Sequence, residues 1–282
     1  MKQVRLALSG SGFLAPIHAG AVCAFLDAGV EIVEVAGTSG GSIGAALVAS
    51  GKSAAEIKRI ALAPIPDNIM ALQPFGALWR WAMNDGAVLH DWLRSTIGPA
   101  TFADSAIQVT IVASDVQRQR GVTFSRMRTP SLPLADACRM SASVPGVWAP
   151  VRYAGMRVAD GGMVCNIPTD KLGRDEVPRV GIQVMDSNAP SQMNSLLDFA
   201  KGCIGTMLNS NEGNLDAWAE QTGATILPVD AKPYGFLDAK LPLAAKAELF
   251  QRGYQAVHGL LIRCASNIAV QGREPTRSRF IR

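Results

Sequence analysis

Short apolar runs rich in β-branched residues alternate along this chain with stretches whose apolar positions recur every three to four residues. The first kind predicts strands at residues 4–8, 32–36, 108–114, 122–125, 156–159, 180–184 and 225–228. The second predicts a helix over 16–28, with Ile17, Val22, Phe25 and Leu26 on one side and Gly29 as its stop. It also predicts a helix from Ser42 onward and an amphipathic closing helix over 242–263. Strands and helices in this order predict an α/β fold with three layers, a mostly parallel central sheet covered by helices on both faces. Ligands in such sheets bind beyond the carboxyl ends of strands, and two glycine-rich turns fall there, after residue 8 and after residue 36.

The pattern as a whole predicts one domain over residues 1–265. Two stretches interrupt it. Residues 64–93 carry Trp79, Trp81 and Trp92 among Pro64, Pro66 and Pro74, and read either as a lid or acyl-chain-binding cap, or as a helix packed on the core. Residues 190–223, rich in Asn, Ser and Gly, read as an inserted helical segment bordering the site. Residues 266–282 read as a loosely held basic tail.

Composition narrows the function classes. At 282 residues, with 48% hydrophobic and 18% charged residues, the chain has the makings of a large buried core rather than of a disordered region. No apolar stretch reaches the roughly 20 residues that span a bilayer. The first residues run straight into a strand, without the apolar stretch of a secretory leader. Cys23, Cys138, Cys165, Cys203 and Cys264 are scattered and odd in number, which fits a reducing, cytoplasmic setting and shows no metal-ligand spacing. No metal or cofactor is expected. The formal charge of +4 is modest, and the arginines group at 118, 120, 126 and 128 and again at 273, 277, 279 and 282. Such short clusters do not predict a nucleic-acid groove. They suit contact with an anionic membrane surface and suit solvated turns equally well.

The sharpest local signal is Gly37-Thr38-Ser39-Gly40-Gly41, placed between a strand and a helix. A strand that turns into a helix within a few residues strains the turning residue, and neighbours without side chains leave room for it. The Ser39 hydroxyl then stands out at the tip of the sheet as a nucleophile, with Gly37 and Gly41 supporting the turn. A serine needs a base. His18, His258 and Asp160 are the three to weigh: His18 sits on the first helix, and His258 shares a helical face with Tyr254 and Leu261, as a histidine at the edge of a core does. Asp160 ends a strand and is followed by Gly161 and Gly162, which permit a sharp turn, and then by an apolar stretch fitting a buried site.

Taken in order, these motifs resemble the patatin-like phospholipase family. Ser9-Gly10-Ser11-Gly12 is similar to its oxyanion loop, residues 37–41 to its G-x-S-x-G elbow, and Asp160-Gly161-Gly162 to its Asp-Gly-Gly turn. The stretches 138–150, 166–168 and 248–254 also fit. The chain departs from the family at Leu14 and Ala15, where a basic residue and a glycine are usual, and in the more basic turn at 117–121. The resemblance implies a patatin-like fold and a Ser39–Asp160 dyad, with backbone N–H groups of Gly10, Ser11 and Gly12 forming the oxyanion hole. It implies hydrolysis of acyl esters of phospholipids or lysophospholipids, without a metal. Two alternatives stand beside it. One is a Ser39–Asp160–His258 esterase or acyltransferase, against which only two strands precede the elbow; the other is a lipid-binding or regulatory homologue with weak turnover, suggested by Leu14.

Overall fold

The computed structural model describes residues 1–73, 77–185, 202, 205–206 and 215–271. In chain order these form β1 (Gln3–Leu8), α1 (Pro16–Asp27), β2 (Glu31–Thr38), α2 (Gly40–Ala49), α3 (Ala54–Leu62), α4 (Ala77–Arg80), β3 (Ala82–Asn84) and α5 (Ala87–Ile97). There follow β4 (Gln108–Asp115), β5 (Arg120–Ser125), α6 (Leu134–Ser141), β6 (Gly146–Trp148), β7 (Val151–Tyr153), β8 (Met156–Ala159) and β9 (Arg179–Met185). α7 (Leu215–Thr222), β10 (Thr225–Asp230) and α8 (Leu243–Gln271) complete the described chain.

The seven strands read from the sequence all form, with ends shifted by up to two residues. Local chemistry explains the boundaries. α1 begins on Pro16, which presets the helical φ, and stops before Gly29 at a φ of +68°. α3 starts with a capping box in which Ser53 and Glu56 satisfy each other's backbone N–H.

The main sheet has eight strands in the order β10-β9-β1-β2-β4-β8-β7, with β5 added alongside β4. From β10 through β4 the pairing is parallel; β5, β7 and β8 pair antiparallel. Alternate residues serve opposite faces, as the pleat requires. Leu6, Leu8 and Val35 enter the large core with α1, α2, α6 and α8, whereas Ala7 and Ala36 face a smaller cluster with Ile167, Leu172 and Trp218 of α7. The sheet is therefore buried on both sides, in three layers.

The register of β4 decides where the site lies. β5 occupies one edge of β4 from Thr110 to Asp115. β2 and β8 must then share the other edge, and they approach each other along it from opposite ends. β2 stops with Thr38 opposite Val112, and β8 stops with Ala159 opposite Ser114. A single β4 residue, Ala113, separates the two ends, so the residues that follow, Ser39 and Asp160, are brought face to face.

The interrupting stretches divide. Within 64–93, residues 74–76 lie outside the described residues; Trp92 lines a cavity beside Ser39, while Trp79 and Trp81 are exposed. Most of the expected segment 190–223 also lies outside them, except residues 202, 205–206, α7 and Gly223. α8 continues past the expected boundary at 265 as far as Gln271, and the rest of the basic tail falls outside the described residues.

Candidate active site

Ser39 takes φ 49° and ψ −123°, a conformation costly for a residue with a side chain. Three hydrogen bonds hold it there. Its N–H donates to Ser141 Oγ at 2.8 Å, and Ser141 in turn donates to the Val112 carbonyl at 2.6 Å. Its own carbonyl accepts from Ser42 N at 2.9 Å and Ser42 Oγ at 2.5 Å. The turn is also packed too closely for side chains: a Cβ on Gly41 would lie 2.3 Å from the carbonyl oxygens of Leu8 and Ser9. Gly37 remains within β2, paired with Leu8 and Ile111.

Asp160 is anchored as firmly. Its N–H donates to the Ser143 carbonyl at 3.0 Å, and its carbonyl accepts from Ser114 Oγ at 2.7 Å. A Cβ on Gly161 would come within 2.3 Å of the Val112 carbonyl, so only glycine lets the turn close against β4. Thr38 Oγ1 donates to the Cys165 carbonyl at 2.9 Å and ties the two turns together.

The side chains meet as the backbone directs. Ser39 Oγ donates to Asp160 Oδ2 at 2.6 Å, and Gly162 N–H donates to Asp160 Oδ1 at 2.7 Å. Both residues are buried. Burial raises the Asp160 carboxyl to about 6, against an ordinary value of 3.8; the hydrogen bonds from Ser39 and Gly162 oppose the rise without cancelling it.

The loop after β1 stands over this pair. A Cβ on Gly40 would touch Ser11 Oγ at 2.5 Å and Gly12 N at 2.9 Å, so the loop packs directly on the elbow. The Gly10 amide is already engaged by Asn166, through both its carbonyl and its Oδ1 at 3.1 Å. That corrects the expected set of three oxyanion donors: the amides left without a partner among the described residues are those of Ser11 and Gly12. All three loop residues line the pocket with Ser39, Asp160 and Gly162.

Neither histidine joins the site. His18 is fully buried, and its Nε2 donates to the Ser9 carbonyl at 2.8 Å; desolvation lowers it to about 4, so the ring is neutral and serves to hold the loop. His258 is exposed on α8 and lines neither cavity that contains Ser39, so the fold does not bring it to Ser39 and Asp160 as the alternative Ser–Asp–His triad requires. Leu14 packs in the main core and lines neither cavity as well.

Three residues that position the site, Ser114, Ser141 and Asn166, were not among the expected site residues. Ser141 and Asn166 do lie within stretches that carried the resemblance. Their roles depend on contacts between segments 46, 102 and 156 positions apart, which no local motif marks.

A second cavity adjoins Ser39. Its wall is almost wholly hydrocarbon, from residues such as Ile43, Leu47, Ile57, Ile60, Leu89 and Trp92.

Comparison with known proteins places this geometry. The family model described as patatin-like phospholipase matches residues 6–172, which contain the loop after β1, the Ser39 elbow and Asp160. A protein of Acanthamoeba polyphaga mimivirus is 26% identical over 278 residues, 92% of this chain and 93% of its own length. An NTE family protein of Mycobacterium bovis is 30% identical over 166 residues, 59% of this chain and 44% of that protein. The chain thus spans less than half of the mycobacterial relative. Among solved structures, VipD from Legionella pneumophila shares the fold with a TM-score of 0.61 at 15% identity, over 93% of this chain and 67% of VipD.

Proposed function

The chain belongs to the patatin-like phospholipase family, and on that premise we propose that it is a serine lipid acyl hydrolase. It cleaves fatty-acyl esters of phospholipids or lysophospholipids through an acyl-enzyme on Ser39. The observation that carries this reading is the 2.6 Å hydrogen bond from Ser39 Oγ to Asp160 Oδ2 inside a buried pocket.

In the first step Asp160 takes the hydroxyl proton as Ser39 Oγ bonds to the ester carbonyl carbon. The amides of Ser11 and Gly12 hold the oxyanion, where fixed donors in a water-poor site are most effective. The intermediate collapses, the C–O bond to the alcohol breaks, and Asp160 returns the proton to the departing oxygen. Water then repeats the sequence on the acyl-enzyme, with Asp160 again as base, and releases the fatty acid. A carboxyl near 6 suits both halves: it is ionised at neutral pH, yet closer in basicity to the groups it serves than an ordinary aspartate. The hydrocarbon-walled cavity takes the acyl chain. No helix among the described residues is long and apolar enough to cross a membrane.

The non-catalytic alternative rested on the absence of a basic residue at position 14, and that side chain packs in the core rather than facing the pocket. The test is hydrolysis of a panel of acyl esters by wild type, Ser39→Ala and Asp160→Asn, with labelling by a fluorophosphonate. Wild type is expected to hydrolyse long-chain esters and to be labelled, and both variants to lose at least a hundredfold in turnover. A wild type that neither hydrolyses nor reacts, or a Ser39→Ala variant labelled equally well, would refute the reading.

A further inference from the structure

Two dissimilar spaces adjoin the Ser39–Asp160 pair. One is the apolar cavity assigned above to the acyl chain, so the alcohol half of the ester must leave towards the other. That second space is a groove that shares Pro145 and Met163 with the catalytic pocket. On its far side the Arg157 guanidinium lies over the Trp81 ring, 4.2 Å from its centroid. Trp81 holds a left-handed φ of 57° and remains 59% exposed, an unfavourable arrangement for a tryptophan in both respects.

The charge here is unbalanced. Arg152 pairs directly with Arg157 across the β7–β8 hairpin, which puts two guanidinium groups on one face of the sheet. Like charges so placed repel, and neither has a carboxylate partner among the described residues. Arg157 lines the groove and Arg152 the neighbouring pocket, so an anion bound at Arg157 within the groove offsets part of the repulsion.

We propose that this groove receives the phosphate-bearing head group of the lipid, and that it selects head groups of net negative charge over those ending in a quaternary ammonium. A guanidinium matches phosphate in shape and charge. The natural seat of a quaternary ammonium is a bare aromatic face, and the face of Trp81 is already covered by Arg157. The assignment rests on the hydrolase reading and adds to it the class of alcohol released.

The test compares three monoacyl lipids of one chain length, bearing phosphoglycerol, phosphocholine or plain glycerol, each at low mole fraction in micelles of one neutral detergent. Wild type is expected to show kcat/KM about tenfold higher for phosphoglycerol than for phosphocholine, because both carry the phosphate and only the choline cation is repelled by Arg157; tenfold corresponds to about 1.4 kcal/mol. Arg157→Gln is expected to bring that ratio close to one, and Arg157→Lys to restore part of it. Each ratio is taken within one preparation, so a loss of folded protein cancels. Equal rates on both phospholipids, or a ratio that Arg157→Gln leaves untouched, overturns the assignment while the hydrolase reading stands. So does inhibition by inorganic phosphate that is equal on all three lipids with no head-group ratio, which would make the groove a site for free phosphate. Absence of hydrolysis on all three overturns the assignment, and absence together with no fluorophosphonate labelling of wild type refutes the hydrolase reading as well.

Discussion

Asp160→Asn is expected to stabilise the protein while abolishing turnover, because the site holds a carboxylate where burial disfavours charge. In the unfolded chain the Asp160 carboxyl releases its proton near 3.8, and in the fold only near 6. As pH rises between those values the unfolded state loses the proton first, so this group's contribution to stability falls through the window and stays level above it. The gap of about two pH units, at about 1.36 kcal/mol for each, amounts to about 3 kcal/mol at pH 8. Asparagine keeps the shape and can still accept from Gly162 N and contact Ser39 Oγ, yet has no charge to desolvate. Urea unfolding of wild type and variant at pH 4 and pH 8 measures the difference. The variant should exceed wild type by about 3 kcal/mol at pH 8 and by little at pH 4. Equal stability at pH 8, or a difference independent of pH, would show that the carboxylate is not held in the desolvated state on which the chemistry depends.

Three further outcomes follow from the same geometry. Wild-type kcat/KM should rise through about pH 6 and stand at about a tenth of its plateau at pH 5, since only the ionised carboxyl accepts the serine proton; a profile already flat at pH 5 would rule out a raised Asp160. Ser141→Ala removes the acceptor of the Ser39 N–H and should lower kcat about tenfold to a hundredfold with KM little changed; an equal loss in kcat and gain in KM would point to a collapsed pocket instead. Ile43→Trp fills the hydrocarbon-walled cavity and should depress hydrolysis of long acyl esters at least about tenfold relative to acetate esters, measured with p-nitrophenyl esters of increasing length; a chain-length preference unchanged by the substitution would place the acyl chain elsewhere.

Much of this could be read from residue order alone. The Ser39 elbow shows because its glycines sit between a strand and a helix, and close packing at Gly41 is what those glycines allow. Asp160 shows for the same reason, as a carboxylate followed by two glycines at a strand end. The three-residue strands β3, β6 and β7 are too short to display alternation. α3 has a legible capping box at Ser53 and Glu56 that the periodic pattern alone passes over. Gly10 was assigned as a donor because the loop as a whole fits, yet which amide stays free depends on Asn166, 156 positions away. His258 keeps the chain order of a triad, and only the path of α8 shows its ring to be exposed.

The single-residue interval on β4 between the ends of β2 and β8 has a consequence for how this chain is made. The proposed nucleophile and base, Ser39 and Asp160, lie 121 positions apart, and neither segment carries the other's alignment within itself. A growing polypeptide that has delivered only the first half of the sheet holds a strained serine with nothing to activate it. On the proposed dyad, hydrolysis therefore becomes possible in one step, when the hairpin that ends at Asp160 docks on β4.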